Sequence, residues 1–345
     1  MYMFVNDYSE GMHQKILDAI VKTNFEQHTG YGMDEYCEKA RLAIKKELNN
    51  EDSAVHFLVG GTQANTTIIC ALLRPHQGVI SAVSGHINVH ESGAIEATGH
   101  KVLALPSDDG KITAKQVEDC VKGHFDDPTA EHMVQPKMVY ISNPTEVGTI
   151  YSKKELEEIR KVCDELNLIL FCDGARLGCA LTSKQNDVTL EDMAKLTDVF
   201  YIGGTKMGAM FGEAVVINTP KYNEDFRYLI KQKGGMLAKG RLLGVQFLTL
   251  FTDGLYYELA RHANECAEKL QNAIKEMGYK FLAESPTNQV FPIFPNEIVE
   301  KIGEKYGYSQ WEKRDGEMAI RLCTSWATDM TKVDELIADL KALTK

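Results

Sequence analysis

Three stretches hold side chains that do chemistry when they are brought together. The first is Phe200-Tyr201-Ile202-Gly203-Gly204-Thr205-Lys206-Met207-Gly208, where small residues crowd one lysine behind an apolar run. A lysine in such a pocket loses solvation, its pKa falls, and its neutral amine becomes a nucleophile. The second is Leu168-Ile169-Leu170-Phe171-Cys172-Asp173-Gly174-Ala175-Arg176, an apolar run ending in a carboxylate and an arginine. A partly desolvated aspartate wants a cation or a donor, and an Asp173–Arg176 salt bridge is the plain way to supply one. The third is Val59-Gly60-Gly61-Thr62-Gln63-Ala64-Asn65, glycines between a strand-like run and the apolar run Ile68–Leu73. Free N–H groups at a helix start attract phosphate. Neither G-x-G-x-x-G nor G-x-x-x-x-G-K-[ST] is present, so the two common nucleotide fingerprints fail.

Most lysines are solvated surface charges, and a strand-to-helix turn need not bind anything. The three signals together say more. A phosphate cradle, a strand-end carboxylate and a crowded lysine are the needs of pyridoxal 5'-phosphate. Ser84-Gly85-His86-Ile87-Asn88-Val89-His90-Glu91 adds an imidazole that either lies on a cofactor ring or caps a helix. His86 and His90 also have a zinc-like spacing, but H-E-x-x-H and an obvious third ligand are lacking, so no metal is expected.

Two alternating periodicities must position these residues. Apolar, β-rich runs occur at 54–59, 79–83, 101–105, 137–142, 168–173, 199–202 and 214–217. Several are apolar throughout, as strands covered on both faces are. Between them, 153–166 carries Leu156, Ile159, Val162, Cys163 and Leu166 on one helical face, and 113–121 has a weaker pattern. The expected fold is α/β: a large domain with a mostly parallel sheet flanked by helices. After residue 250 the texture changes. A long helix at 254–277 is followed by strand-like runs at 288–294 and 317–323, with a helix at 296–306 between them. A final helix has Thr331 as its N-cap and Val333, Leu336, Ile337, Leu340 and Leu343 as its stripe. Residues 1–250 and 251–345 are therefore expected to form a large domain and a small α+β domain.

Composition narrows the function. The 38 Lys and Arg against 49 Asp and Glu give a net charge of −11, which argues against a nucleic-acid partner. No run approaches the roughly 18 apolar residues of a membrane span, and the start lacks a signal-peptide pattern. The eight cysteines include no C-x-x-C pair. Reduced thiols in a cytoplasmic protein are the expectation, rather than disulfides or a zinc site.

Taken in order, Gly61-Thr62, Gly85-His86, Asp173-Gly174-Ala175-Arg176 and Thr205-Lys206 resemble the threonine aldolases. These belong to the pyridoxal-phosphate fold type I group (aminotransferase-like), with the aromatic-amino-acid β-eliminating lyases nearby. The likeness runs from Asn6-Asp7 to Arg321-Leu322, and D-G-A-R is its most specific piece. It implies that Lys206 forms a Schiff base with the cofactor, Asp173 pairs with the pyridine nitrogen, and His86 stacks on the ring. Gly61, Thr62 and Gln63 would hold the phosphate. Arg176 and Arg321 would fix the substrate carboxylate, a task for the guanidinium fork. Tyr31 matches a tyrosine near the active site. Asn6 replaces a serine that contacts the substrate, Leu237 stands where a neighbouring subunit's arginine is usual (with Lys239 or Arg241 nearby), and no second histidine follows Ser142. Glu146 or a water would then handle the β-hydroxyl. The implied activity is cleavage of a small β-hydroxy-α-amino acid, threonine or allo-threonine, to glycine and an aldehyde, in a homodimer or homotetramer. β-Elimination, transamination, racemisation or a non-catalytic relative would share the same scaffold.

Overall fold

All seven apolar runs join one sheet in the computed structural model, which describes residues 1–344. They are Ala54–Leu58 (β1), Gln77–Ala82 (β2), Val102–Leu105 (β3), Gln135–Ser142 (β4), Ile169–Asp173 (β5), Val199–Gly203 (β6) and Glu213–Ile217 (β7). The order across the sheet is β1-β7-β6-β5-β4-β2-β3. The pairs from β6 to β3 are parallel, whereas β7 runs antiparallel to both β6 and β1. The reversal has a simple cause. Only the loop 204–212 joins β6 to β7, and a connection that short cannot cross over to a parallel neighbour.

Every residue of β2, β5, β6 and β7 is buried, because helices cover both faces. Alternation splits them between two cores. Ile141, Leu170, Cys172, Phe200 and Ile202 face one way. Tyr140, Ile169, Phe171, Val199 and Tyr201 face the other. The same period of two turns Asp173 toward the face that carries Tyr140 and Tyr201. The helices start where the sequence places caps. Ser152 and Glu155 form a capping box for Lys153–Glu165, and Thr113 and Gln116 form one for Ala114–Phe125.

The smaller C-terminal α+β domain packs Leu255–Glu276 and Met330–Leu343 on a five-stranded sheet. Its strands are Lys280–Phe281 (β8), Gln289–Val290 (β9), Pro292–Pro295 (β10), Ser309–Lys313 (β11) and Glu317–Cys323 (β12). The run expected at 288–294 is thus two strands, β9 and β10, both paired with β12; Pro292, at the break, has no N–H to give the ladder. The helix expected at 296–306 ends at Gly303, and Tyr306 instead pairs with Tyr2 in a short parallel bridge. Asp329, not Thr331, caps the last helix, its carboxylate accepting from the Thr331 N–H. Phe4 lies in the core of this domain, so the first residues complete it. Among the described residues, no helix is long and apolar enough to cross a membrane.

Two loops at the carboxyl ends of β5 and β6 touch. The Gly203 N–H donates to the Gly174 carbonyl at 2.9 Å, and a Cβ on Gly203 would overlap the Ala175 backbone. We predict that Gly203→Ala lowers the calorimetric unfolding midpoint, because overpacking of this kind costs about 1–3 kcal/mol. An unchanged midpoint would show that the two loops separate freely.

Candidate active site

The carboxyl ends of β4, β5 and β6 open into a cavity of about 320 Å³ lined by Gly61, Thr62, His86, Glu146, Asp173, Arg176, Lys206 and Glu213, among others. That is where an open α/β sheet collects its ligands.

Asp173 ends β5 and is only 5% exposed. Its Oδ2 accepts from the Tyr140 hydroxyl at 2.6 Å and the Asn65 amide at 3.2 Å; Oδ1 accepts from the Ala175 N–H at 3.0 Å. Burial alone pushes this carboxyl up. The charge on His86, the Tyr140 and Tyr201 hydroxyls and the Ala175 N–H more than offset that, leaving it below the usual carboxylate range. Asp173 therefore stays ionised. Its partners within hydrogen-bond distance are neutral donors, so its charge is available to a cation in the cavity.

His86 begins the short helix His86–Val89. Its Nδ1 meets the buried Glu91 carboxylate at 2.7 Å, and Glu91 also accepts from Asn65 at 2.7 Å. Asn65 thus bridges Asp173 and Glu91, and the chain Tyr140–Asp173–Asn65–Glu91–His86 fixes both the carboxylate and the imidazole. Glu146 adds a further, half-buried acid. Its Oε1 accepts from the His86 N–H at 2.9 Å and from Ser142 Oγ at 2.7 Å, and burial raises its pKa above the ordinary value.

Lys206 follows β6 in the cavity. Burial lowers its pKa and Arg176 lowers it further, against the opposing pull of Asp7, Asp173 and Glu213. Gly61 and Thr62 open the helix Gly61–Leu72, which Gly60 starts with no side-chain cap. A Cβ at Gly60 would meet nothing within 4 Å, so there is open space beside the helix start.

The remaining expected site residues lie elsewhere or are already engaged. Arg176 lines the cavity, but it does not pair with Asp173. Its Nε and Nη2 grip Asp7 at 2.6 and 3.0 Å, and Asn288 donates to the same carboxylate at 2.9 Å. Gln63 is turned away and does not line the cavity: its amide accepts from the Val59 N–H and donates to the Lys233 carbonyl, both at 3.2 Å. The Asn6 side chain builds a local turn with the Tyr8 N–H and Ser9 hydroxyl. Tyr31 is 48% exposed with a left-handed φ of 61°, outside this chain's cavity lining, and Lys231 lies over its ring. Arg321 donates to Gln289, Val5 and Ser309 and packs on Trp311, with its buried Nε unpartnered.

Asp7, Asn65, Glu91, Tyr140, Tyr201 and Glu213 join the site although none of them has a role assigned from the sequence alone. A local signal existed for some. Tyr140 and Tyr201 are polar tips in apolar strands, and Glu213 is an acid opening an otherwise apolar one.

The donor set fits pyridoxal phosphate. An uncapped helix start suits its phosphate, an ionised strand-end carboxylate suits a protonated ring nitrogen, and a lysine with lowered pKa suits its aldehyde. A family model described as beta-eliminating lyase matches residues 8–296. The low specificity L-threonine aldolase of Pseudomonas sp. (strain NCIMB 10558) is 31% identical over 99% of this chain and 97% of its own length. A Leishmania major threonine aldolase structure superposes with a TM-score of 0.98 at 47% identity, covering both chains fully. A Thermus thermophilus aspartate aminotransferase shares the fold, with a TM-score of 0.73 at 13% identity over 100% of this chain and 92% of that one.

The Asp7–Arg176 pair makes a testable contribution. Burial would raise Asp7, but Arg176, Lys206 and Asn288 bring it from 3.8 down to about 2. A depressed carboxyl stabilises fully above its unfolded pKa and loses that contribution as pH falls through the folded value. Asp7→Asn should therefore lower stability most near neutral pH, by about 3–5 kcal/mol for a broken buried pair. The gap to the parent should narrow by about 2 kcal/mol as pH falls from about 4 to below 2, read from urea unfolding across that range.

Proposed function

The chain belongs to the beta-eliminating lyase family of pyridoxal-phosphate enzymes, and from that premise we propose that it cleaves a β-hydroxy-α-amino acid, threonine or allo-threonine, to glycine and an aldehyde. Pyridoxal phosphate bound at Lys206 supplies the electron sink that lets the Cα–Cβ bond break. The chain's own residues hold charge and move protons. Asp173, kept ionised, supplies negative charge for the ring nitrogen, and His86, locked by Glu91, presents its imidazole at the cavity. Nothing is consumed besides substrate. The β-hydroxyl gives up a proton, the bond's electron pair passes to Cα, and Cα takes a proton back.

Glu146 carries the choice of reaction. A cleavage of this kind needs a base at the β-hydroxyl, and the expected second histidine is missing after Ser142. Glu146 lines the cavity beside His86, and burial raises its pKa toward that of a useful proton acceptor. Both of its hydrogen bonds fall on Oε1, so its direction is set by Ser142 and the His86 backbone. Arg176, half committed to Asp7, and Arg321, with a free Nε, are the guanidinium groups proposed for the substrate carboxylate. Self-association belongs to the same proposal. Tyr31 lies outside its own chain's cavity lining, so a site role for it requires a second copy.

The test is an aldehyde-coupled assay on purified protein supplied with pyridoxal phosphate. Acetaldehyde from threonine or allo-threonine is expected, and Lys206→Ala should abolish it. Glu146→Gln should lower kcat by about 10²–10⁴ with little change in KM, as loss of a proton acceptor does. No aldehyde from threonine, allo-threonine or phenylserine would sink the proposal, and pyruvate from serine would move the reading to β-elimination.

A further inference from the structure

We propose that Gln289 is a positioning residue for Arg321: it holds the guanidinium with a neutral acceptor and so keeps its charge for a substrate carboxylate. The inference rests on the role given to Arg321 above, and its test reads binding rather than turnover.

The sheet of the small domain sets the contact. Arg321 lies on β12, opposite Ser309 of β11. Gln289 of β9 is paired with Cys323. Cys323 is two residues along β12 from Arg321 and on the same face, so Gln289 and Arg321 are diagonal neighbours within reach of long side chains. The Gln289 Oε1 accepts from Arg321 Nη1 at 3.2 Å. Nη2 donates to the Val5 carbonyl at 3.1 Å and to Ser309 Oγ at 3.4 Å, and the Trp311 ring centre lies 5.5 Å from the guanidinium carbon. Among the described residues, all these partners are neutral. Arg176 is treated differently, since Asp7 compensates its charge. The buried Cys323 thiol is close enough to feel Arg176, Arg321 and Lys206 together, so the uncompensated guanidinium stands near the cavity that the other two line.

Stability alone does not favour glutamine at this position. Gln289 is fully buried. Nη1 is a donor, so the amide must present Oε1 to it; the reverse orientation would set donor against donor. Nε2 is then buried without a partner. An unpartnered buried donor is destabilising. Methionine, of similar length, would leave no such atom, and glutamate would meet the arginine as an ion pair. The amide does what neither of these can: it fixes the direction of the guanidinium and leaves its charge unspent.

The experiment separates holding from compensation. Protein loaded with pyridoxal phosphate is titrated with glycine and, separately, with methylamine, which is glycine without its carboxylate; binding is read from the visible band. Gln289→Glu keeps an acceptor at Nη1 but compensates the charge. It should raise the glycine Kd by about tenfold, the size of one charge-assisted hydrogen bond, and leave the methylamine Kd unchanged. Gln289→Met only frees the guanidinium and should raise the glycine Kd by about threefold. A purely structural role predicts the reverse order, because glutamate would hold Arg321 more firmly than methionine. Should Gln289→Glu fail to fold, Ser309→Asp sets the compensating charge at another neutral acceptor and should weaken glycine alone in the same way. A folded Gln289→Glu, or in its place Ser309→Asp, with the parent's glycine Kd overturns the proposal. So does weaker glycine binding in Gln289→Met than in Gln289→Glu, or an equal loss for both ligands. Arg321→Ala keeps the two readings apart. Unchanged glycine binding there removes the role given to Arg321, whereas weakened binding there beside a parent-like Gln289→Glu removes this inference alone.

Discussion

A carboxylate can end a fully buried strand only if protein donors replace the water it gives up. Asp173 meets that requirement with a tyrosine hydroxyl, an asparagine amide and a backbone N–H. The rest of the cavity follows from this substitution. Tyr140 must sit one strand over with its tip at the same level, which the parallel register of β4 and β5 provides. Asn65 must stand one turn into the helix behind Gly61, and its second bond then ties in Glu91 and His86. Replacing these donors with a lysine would satisfy the aspartate and remove its use. Neutral donors keep the charge and leave it unspent.

The other acids around the cavity are treated differently. Asp7 receives a guanidinium and is fully neutralised as a pair. Glu91 receives an imidazole and an amide. Glu146 and Glu213 have two neutral donors each and their pKa values rise, whereas Asp173 has three donors and the charge on His86 nearby and its pKa falls. Similar side chains thus have pKa values displaced in opposite directions within one cavity, and their immediate neighbours make the difference.

Much of this was legible in the sequence. The seven strands were readable because a strand buried on both faces is apolar throughout, and 168–173 and 199–202 have no competing pattern. Lys206, Asp173 and His86 stood out because small residues and strand ends surround them, and all three line the cavity. The antiparallel turn of β7 was not, since alternation says nothing about direction; only the shortness of 204–212 hinted at it. The partner of Arg176 was equally hidden. The nearest acid, Asp173, was the natural guess, and the actual one is Asp7, brought in from the far end of the chain. Gln63 was hidden too. It follows Gly61 and Thr62 at the helix start, but it does not line the cavity, and its side chain is spent on the Val59 N–H and the Lys233 carbonyl.

The short bridge between Tyr2 and Tyr306 has a bearing on how the protein is made. These strands lie at opposite ends of the chain, and Phe4 fills the core of the domain that the later residues build. Contacts so distant in sequence must wait for nearly the whole polypeptide to leave the ribosome. Until then Phe4 lacks the core it fills, and Asn288 cannot reach the Asp7 carboxylate. Synthesis of the last hundred residues, rather than of the motif-bearing ones, therefore sets the moment when the first residues of the chain find their place.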